Sequence, residues 1–420
     1  MKAAALLRLS ARSVGRNARR SALTASAMAL GLALLIFTRA LADGGHEQWI
    51  RSAVRLGTGH IAIQAPEYLE TGDLKHHLDE EVTRRVLEAV KDPEVARRTV
   101  MSTQRLTVTG LASSAAAAIP ARIEGVDPES EAAFSQLTEK LTDGRYLKTG
   151  DRLRAVIGSE MARRLELKVG SRFVLTAQGA DGEVTGQLVR VAGIFSTGIE
   201  EMDQGLVHIP LSTARSWLAA PGAVTTVAVL LRSSRDTKPA LRALRRRLAD
   251  DSGIRVLGWR EASPELDSAV RIDDWGDYIF HGVLFAIVML AILNSIMMSV
   301  LGRTREFGIL QALGLTGAET GWVVFGEGFF LTAASGVVGM IAGFLFTWGF
   351  FRDGLDFSRF MDSSMSISGA IIDPVIIPEF HFSQIALSAL SIAVVGTLAS
   401  LYPAYRAARI EAAEAMKFEE

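Results

Sequence analysis

The chain has 420 residues, with 45 Lys and Arg against 46 Asp and Glu, 38 Gly, no Cys and 49% hydrophobic residues. That length exceeds one ordinary domain, so more than one module is expected. Balanced charge gives no reason to expect a nucleic-acid partner, and the lack of cysteine excludes disulfides, thiolate metal sites and cysteine nucleophiles.

In chain order, residues 1–20 carry Lys2, Arg8, Arg12, Arg16, Arg19 and Arg20 and no acidic residue. Residues 21–42 follow as an apolar run long enough to cross about 30 Å of hydrocarbon at about 1.5 Å per residue. Comparable runs occupy 279–301, 322–351 and 383–402, flanked by Trp275, Tyr278, Trp322, Trp348, Tyr402 and Tyr405 as interfacial rings. The predicted class is a polytopic α-helical membrane protein with four transmembrane helices and a large α+β extracytoplasmic domain between the first and second. The basic N-terminal residues place both termini in the cytoplasm, residues 43–278 and the 352–382 loop outside, and residues 302–321 and the 403–420 tail inside. A competing reading takes Ala40-Leu41-Ala42 as the end of a cleaved signal peptide, but the run fills a whole span rather than a core of about 7 to 15 residues. Ser21, Ala25, Ala29 and Ala33, with Gly31 among them, and the Gly339/Gly343 pair preceded by Gly336 are the small residues expected at close helix contacts.

The outer domain mixes both periodicities. Residues 60–64 and 105–110 read as strands and 80–91 as an amphipathic helix. A strand at 225–232, a helix at 238–250 and a strand at 254–259 repeat that order. The two strand-helix-strand units are expected to share a sheet. Between them, runs at 171–178 and 187–195 flank the turn signal Gly179-Ala180-Asp181-Gly182, so residues 115–215 read as a β-rich insertion. The basic run Arg242, Arg245, Arg246 and Arg247 reads as a solvated face, with anionic lipid as the rival partner. His76-His77 lacks a third ligand at metal spacing.

No enzymatic constellation emerges: GxxxxGK[ST], GxSxG and HExxH do not occur. The chain is therefore expected not to be an enzyme and to hold no cofactor or metal of its own. In the 302–321 segment, Phe307, Leu310 and Leu313 fall at helical spacing, suggesting an apolar ridge. Arg303, Arg305 and Glu306 are expected to remain available to another protein, with Gly314 ending the segment. Asn294 and Glu327 lie inside spans, where polar groups seek partners.

Arg303-Thr304-Arg305-Glu306-Phe307-Gly308-Ile309-Leu310-Gln311-Ala312-Leu313-Gly314 resembles the RTREIGILRALG signature of the FtsX-like and MacB-type (type VII) ABC transporter permeases, among them the lipoprotein-releasing LolC and LolE subunits. Asn294 to Ser299, Glu327, and the ending Tyr402-Pro403-Ala404-Tyr405-Arg406 with Glu414-Ala415 resemble the same region, making Pro403 and Arg406 tail landmarks. Outside, residues 59–63, 125–129, 144–147 and 191–195 resemble weaker landmarks. The resemblance implies a multi-pass inner-membrane permease acting by mechanotransmission, with a porter-like part and a β-rich insertion in the periplasm. Its implied partners are a cytoplasmic ABC ATPase that binds ATP and Mg and docks on the 302–321 segment, and a second permease subunit, identical or related. Lipoprotein cargo, a periplasmic adaptor and membrane lipids complete the set. Two departures leave the subgroup open: the 352–382 loop is long, and no proline stands near Glu411 to Ala413. Export of peptides or small molecules in the MacB manner, activation of a cell-wall hydrolase, and a membrane-anchored sensor without an ATPase remain rival readings.

Overall fold

A computed structural model describes Ser10 and residues 18–357, 366–367, 370–371 and 375–410. The basic residues Lys2, Arg8, Arg12 and Arg16 and the tail residues Glu414 and Ala415 lie outside the described residues.

The described chain opens with α1 (Ala18–Leu56), β1 (Ile61–Gln64), α2 (Glu80–Val90), β2 (Thr99–Ser113), β3 (Ala118–Val126) and α3 (Pro128–Ser135). It continues through β4 (Leu141–Gly144), β5 (Arg154–Gly158), β6 (Arg172–Gln178), β7 (Val184–Phe195), β8 (Leu206–Pro210) and β9 (Thr226–Leu231). Then come α4 (Thr237–Arg247), β10 (Arg255–Gly258), α5 (Pro264–Leu301), α6 (Thr304–Ala312), α7 (Gly317–Phe351) and α8 (Phe382–Ala408). Two compact units result. One holds Met1–Gly45, Asp273–Asp356 and Val375–Glu420, and the other His46–Ile272 and Phe357–Pro374.

In the first unit, the apolar parts of α1, α5, α7 and α8 are each long enough to cross a membrane. Their inward faces build one core from Leu32, Ile36, Ile292, Ile296, Val324, Ile392 and Ala399, which Phe307 of α6 joins. Close approach between α1 and α7 depends on the absence of side chains. A Cβ on Gly339 would stand 2.7 Å from the Ala29 carbonyl oxygen, and one on Gly343 2.8 Å from Ala33 Cα. The alanine row of α1 and the glycine pair of α7 therefore meet each other. Gly31 meets α5 instead, where a Cβ would reach Val288 Cγ2 at 2.8 Å. Gly336 has open space around it and takes no part.

Several boundaries differ from the sequence expectation. The first helix runs past residue 42 to Leu56, and the second begins at Pro264 rather than 279. The polar residues in those extensions kept them out of a hydropathy-based span, and the helices continue through Gly44, Gly45 and Gly276 all the same. The 302–321 segment is not one helix: α6 stops at Ala312, and α7 starts at Gly317 behind a Thr316–Glu319 capping box. The last helix continues through Pro403, placed in the tail above, as far as Ala408.

In the second unit, one ten-stranded sheet has the order β10-β1-β9-β2-β3-β8-β5-β7-β4, with β6 paired to β2 and β7. The expected insertion is therefore not a separate sheet. At roughly 3.3 Å per residue, β2 is long enough to serve two neighbourhoods. Its Thr99–Arg105 half pairs with β9, and Arg105–Ser113 pairs with β3, the far end also with β6. The β3–β8 and β5–β7 pairs are parallel. Four buried clusters pack on this sheet, two of them large. One gathers Ile61, Ile63, Val86, Val227 and Leu244, the other Leu106, Ile123, Ile157, Phe173, Leu175 and Val191. The helix α2 turns Thr83, Val86 and Val90 inward and is capped by Asp79, whose carboxylate accepts the Val82 N–H at 2.7 Å. Such a cap contributes about 1 kcal/mol. The helix α4 buries Ala240, Ala243 and Leu244, while Arg245, Arg246 and Arg247 pair with Glu261, Glu94 and Asp92.

Candidate functional site

The segment between α5 and α7 carries the site. Arg303 lies where α5 ends and α6 begins, and its guanidinium reaches both ways. Nε donates to Glu306 Oε2 at 3.0 Å, one turn along α6, and Nη1 donates to Glu327 Oε2 at 2.9 Å on α7. The guanidinium also lies over the Phe307 ring, 5.1 Å from its centroid. Phe307 is fully buried between the helices. The side chains of Arg303 and Glu327 keep only 11% and 13% of their exposure, whereas Glu306 keeps 45%. The charge on α7 is thus neutralised by the short helix, as a carboxylate near hydrocarbon requires.

The three-residue ridge does not form as expected. Phe307 points inward, Leu310 is half-buried against the bundle, and Leu313 is 77% exposed. Of the charges, Arg303 and Glu306 are engaged within the segment, while Arg305 stands exposed. The outer face of α6 therefore presents Arg305, Ile309 and Leu313, with Ile309 47% exposed. Gly314 has φ +105°, a backbone conformation that side-chain-bearing residues avoid, and it turns the chain back toward α7. Gln311 Nε2 donates to Thr320 Oγ1 at 3.4 Å across that turn.

The remaining predicted positions scatter through the bundle. Pro403 is buried inside α8, and Arg406 is exposed near its end. Asn294 lies on the exposed face of α5. Gly31, Gly339 and Gly343 are packing positions. Periodicity located the segment but not the inward reach of Arg303, because the Glu327 partner comes from another helix.

Sequence reasoning missed a second charge cluster, in the sheet unit. Arg105 on β2 donates to Glu131 on α3 through Nη2 at 2.6 Å and Nε at 3.0 Å, and Nη1 donates to the Gly57 carbonyl just beyond α1. Glu124 Oε2 lies 3.8 Å from Arg105 and 3.3 Å from His208 Nε2, whose Nδ1 is 2.8 Å from the Tyr146 hydroxyl. Burial pushes the Glu124 carboxyl up, but the charges of Arg122 and Arg105 outweigh it and hold the group well below the usual range. Burial alone would lower Arg105, yet Glu131 and Glu124 raise it. Burial pushes the Tyr146 phenol well up. His60, beside β1, is pushed down to about 4, first by burial and then by the positive charges of Arg51 and Arg55. No spacing signal links these residues, because they come from separate strands and a helix.

Comparison with known proteins gives concordant matches. The family model described as "MacB-like periplasmic core domain" matches residues 21–247, and "FtsX-like permease C-terminal" matches residues 278–412. The lipoprotein-releasing system transmembrane protein LolC of Xylella fastidiosa (strain 9a5c) is 26% identical over 403 residues, covering 93% of this chain and 92% of that protein. LolC of strain Temecula1 is 25% identical over 409 residues, with the same coverage. Among solved structures, the periplasmic region of MacB from Actinobacillus actinomycetemcomitans has a TM-score of 0.36 and 13% identity, covering 52% of this chain and 94% of that one.

Proposed function

Because the chain belongs to the ABC transporter permeases that join a MacB-like periplasmic core domain to an FtsX-like permease region, we propose that it is the membrane subunit of a lipoprotein-releasing transporter powered by a separate cytoplasmic ATPase. The likeness to LolC over nearly the whole length of both chains supports lipoprotein cargo. In this reading the termini and α6 face the cytoplasm. ATP and Mg are held by the partner ATPase, a second permease subunit completes the membrane part, and lipid surrounds it.

The observation that carries the reading is the arrangement at α6. Arg305, Ile309 and Leu313 offer one cation and two apolar side chains to a partner groove, while Arg303 on the other side grips Glu327 of α7. A partner that moves α6 therefore pulls on α7 through a nearly buried ion pair, which is how mechanical coupling would enter the bundle. The match to the MacB-like domain favours a second reading, export with a periplasmic adaptor.

Co-purification of the tagged chain from detergent-solubilised membranes, followed by mass spectrometry, tests both. An ABC ATPase together with lipid-modified proteins is the expected recovery. An ATPase with a periplasmic adaptor would replace lipoprotein release by export. No ATPase at all would overturn the transporter reading in favour of a sensor.

A further inference from the structure

The sheet unit holds a cavity of about 470 Å³ where two of its buried clusters meet, a volume within the roughly 300–1,000 Å³ of small-molecule sites. Leu56 at the end of α1, Leu266 at the start of α5, and Ile199, Met202 and Leu206 around the short helix Glu200–Gly205 line it, each at most 9% exposed. Gly205 leaves room inside, since a Cβ there would meet no atom within 4 Å. An apolar interior of that kind does not suit a sugar or a bare ion, whose polar groups would go unpaired. Two charged side chains also line the cavity. Arg122 of β3 keeps 49% of its side-chain exposure; its Nε faces Glu124 Oε1 at 3.0 Å, and its two Nη groups donate to no described residue. Glu201 is exposed and pairs with no described residue.

We infer that this cavity takes one acyl chain of a zwitterionic lipid, with the phosphate of the headgroup on Arg122 and its ammonium on Glu201. The volume suits a single chain. A methylene is about as large as a water molecule, and at about 30 Å³ each the cavity has room for about 15 of them. The charges select the head. An anionic head would be drawn to Arg122 and repelled by Glu201, a cationic head would meet the reverse conflict, and an uncharged head would leave both groups to water. A guanidinium with uncommitted N–H groups is matched to phosphate oxygens, and a carboxylate to an ammonium. Glu124 does not cancel Arg122, because Arg105 and His208 also lie against that carboxylate. Leu56 and Leu266 sit on the two helices that also carry the first two apolar spans, so an occupant touches elements that any movement of those helices would displace. Binding here requires no ATPase, so the occupant of the cavity and the permease reading are tested separately.

The probe is lysophosphatidylethanolamine carrying a diazirine near the end of its acyl chain, added to the full-length protein in phosphatidylglycerol nanodiscs, irradiated, and mapped by mass spectrometry of the peptides. Attachment is expected within residues 53–57, 199–206 and 262–266, and to exceed that of lysophosphatidylglycerol with the same group about threefold, the scale of one exposed ion pair. Gly205→Phe fills the cavity and should lower attachment at least about tenfold, since each methylene kept out is worth about a factor of four. The variant should melt as the native protein does. Glu201→Lys makes both charges positive and should turn the preference toward the anionic lipid, which a loss of packing would not do. Diacyl phosphatidylethanolamine with the same diazirine, built into the nanodisc, separates the sources: attachment to the same segments makes bilayer phospholipid the supply, and attachment from the lyso form alone makes it a single-chain lipid. Attachment no greater than in Gly205→Phe, or an unchanged preference in Glu201→Lys, overturns the proposal.

Discussion

Two arginines in this chain hold similar company and make opposite bargains with water. Arg105 and Arg303 each contact two glutamates and each lie 5.1 Å from a phenylalanine ring centroid, Phe134 and Phe307 respectively. Arg105 is closed on every side: its side chain is 4% exposed, Glu131 is fully buried, and the partners come from different elements of the sheet unit. Arg303 is closed toward α7 and open toward α6, where Glu306 stays 45% exposed. A closed network specifies one arrangement, because removing any member strands a charge. An open one can exchange a partner without that penalty. The first suits a scaffold and the second a joint.

Breaking the closed network should have the largest effect. Arg105→Met leaves Glu131 and Glu124 without their buried counter-charge and should destabilise the sheet unit by about 3–5 kcal/mol. Thermal melting of the full-length protein in detergent, followed by limited proteolysis of the outer domain, measures this. Adding Glu131→Leu to the same chain should recover part of the loss, because an apolar pair replaces the stranded charge.

The pH response comes next in size. A histidine buried as the neutral base contributes stability that is complete above its unfolded value of 6.5 and disappears as pH falls toward its folded value of about 4. The loss over that window is on the order of 3 kcal/mol. Glu124 is depressed instead, so its contribution is complete above the ordinary glutamate range and persists to more acidic pH than that of His60. Melting between pH 7 and pH 4 should therefore fall in the native protein and fall much less in His60→Gln. Equal slopes would remove His60 as the cause.

Opening the joint should cost less stability and more association. Arg303→Met leaves Glu327 facing the bundle without this cation and should cost about 1–3 kcal/mol by the same melting assay. It should also weaken ATPase recovery on the affinity matrix, and exchanging the charges as Arg303→Glu with Glu327→Arg should restore part of it. The smallest effect on stability, within about 0.5 kcal/mol, is expected for Arg305→Glu and Leu313→Asp, which touch only the exposed face of α6. Each should still lower ATPase recovery at least about tenfold. Undiminished recovery with both substitutions would remove α6 from the docking interface.

The amino-acid sequence by itself determined the four apolar runs, most of the strands and the two longest helices of the outer domain, and the segment where α6 forms. Those signals are local: an apolar run of span length, a two- or 3.6-residue period, a glycine at a turn. Only the tertiary structure decided that α1 and α7 meet through Ala29, Ala33, Gly339 and Gly343, that β2 joins the two halves of one sheet, and that Arg303 turns inward while Arg305 stays out. It also decided that Asn294 faces away from its own bundle. These depend on partners far away in the chain, and the free energy of a hydrogen bond or close contact between distant residues leaves no period in the sequence from which it could be read.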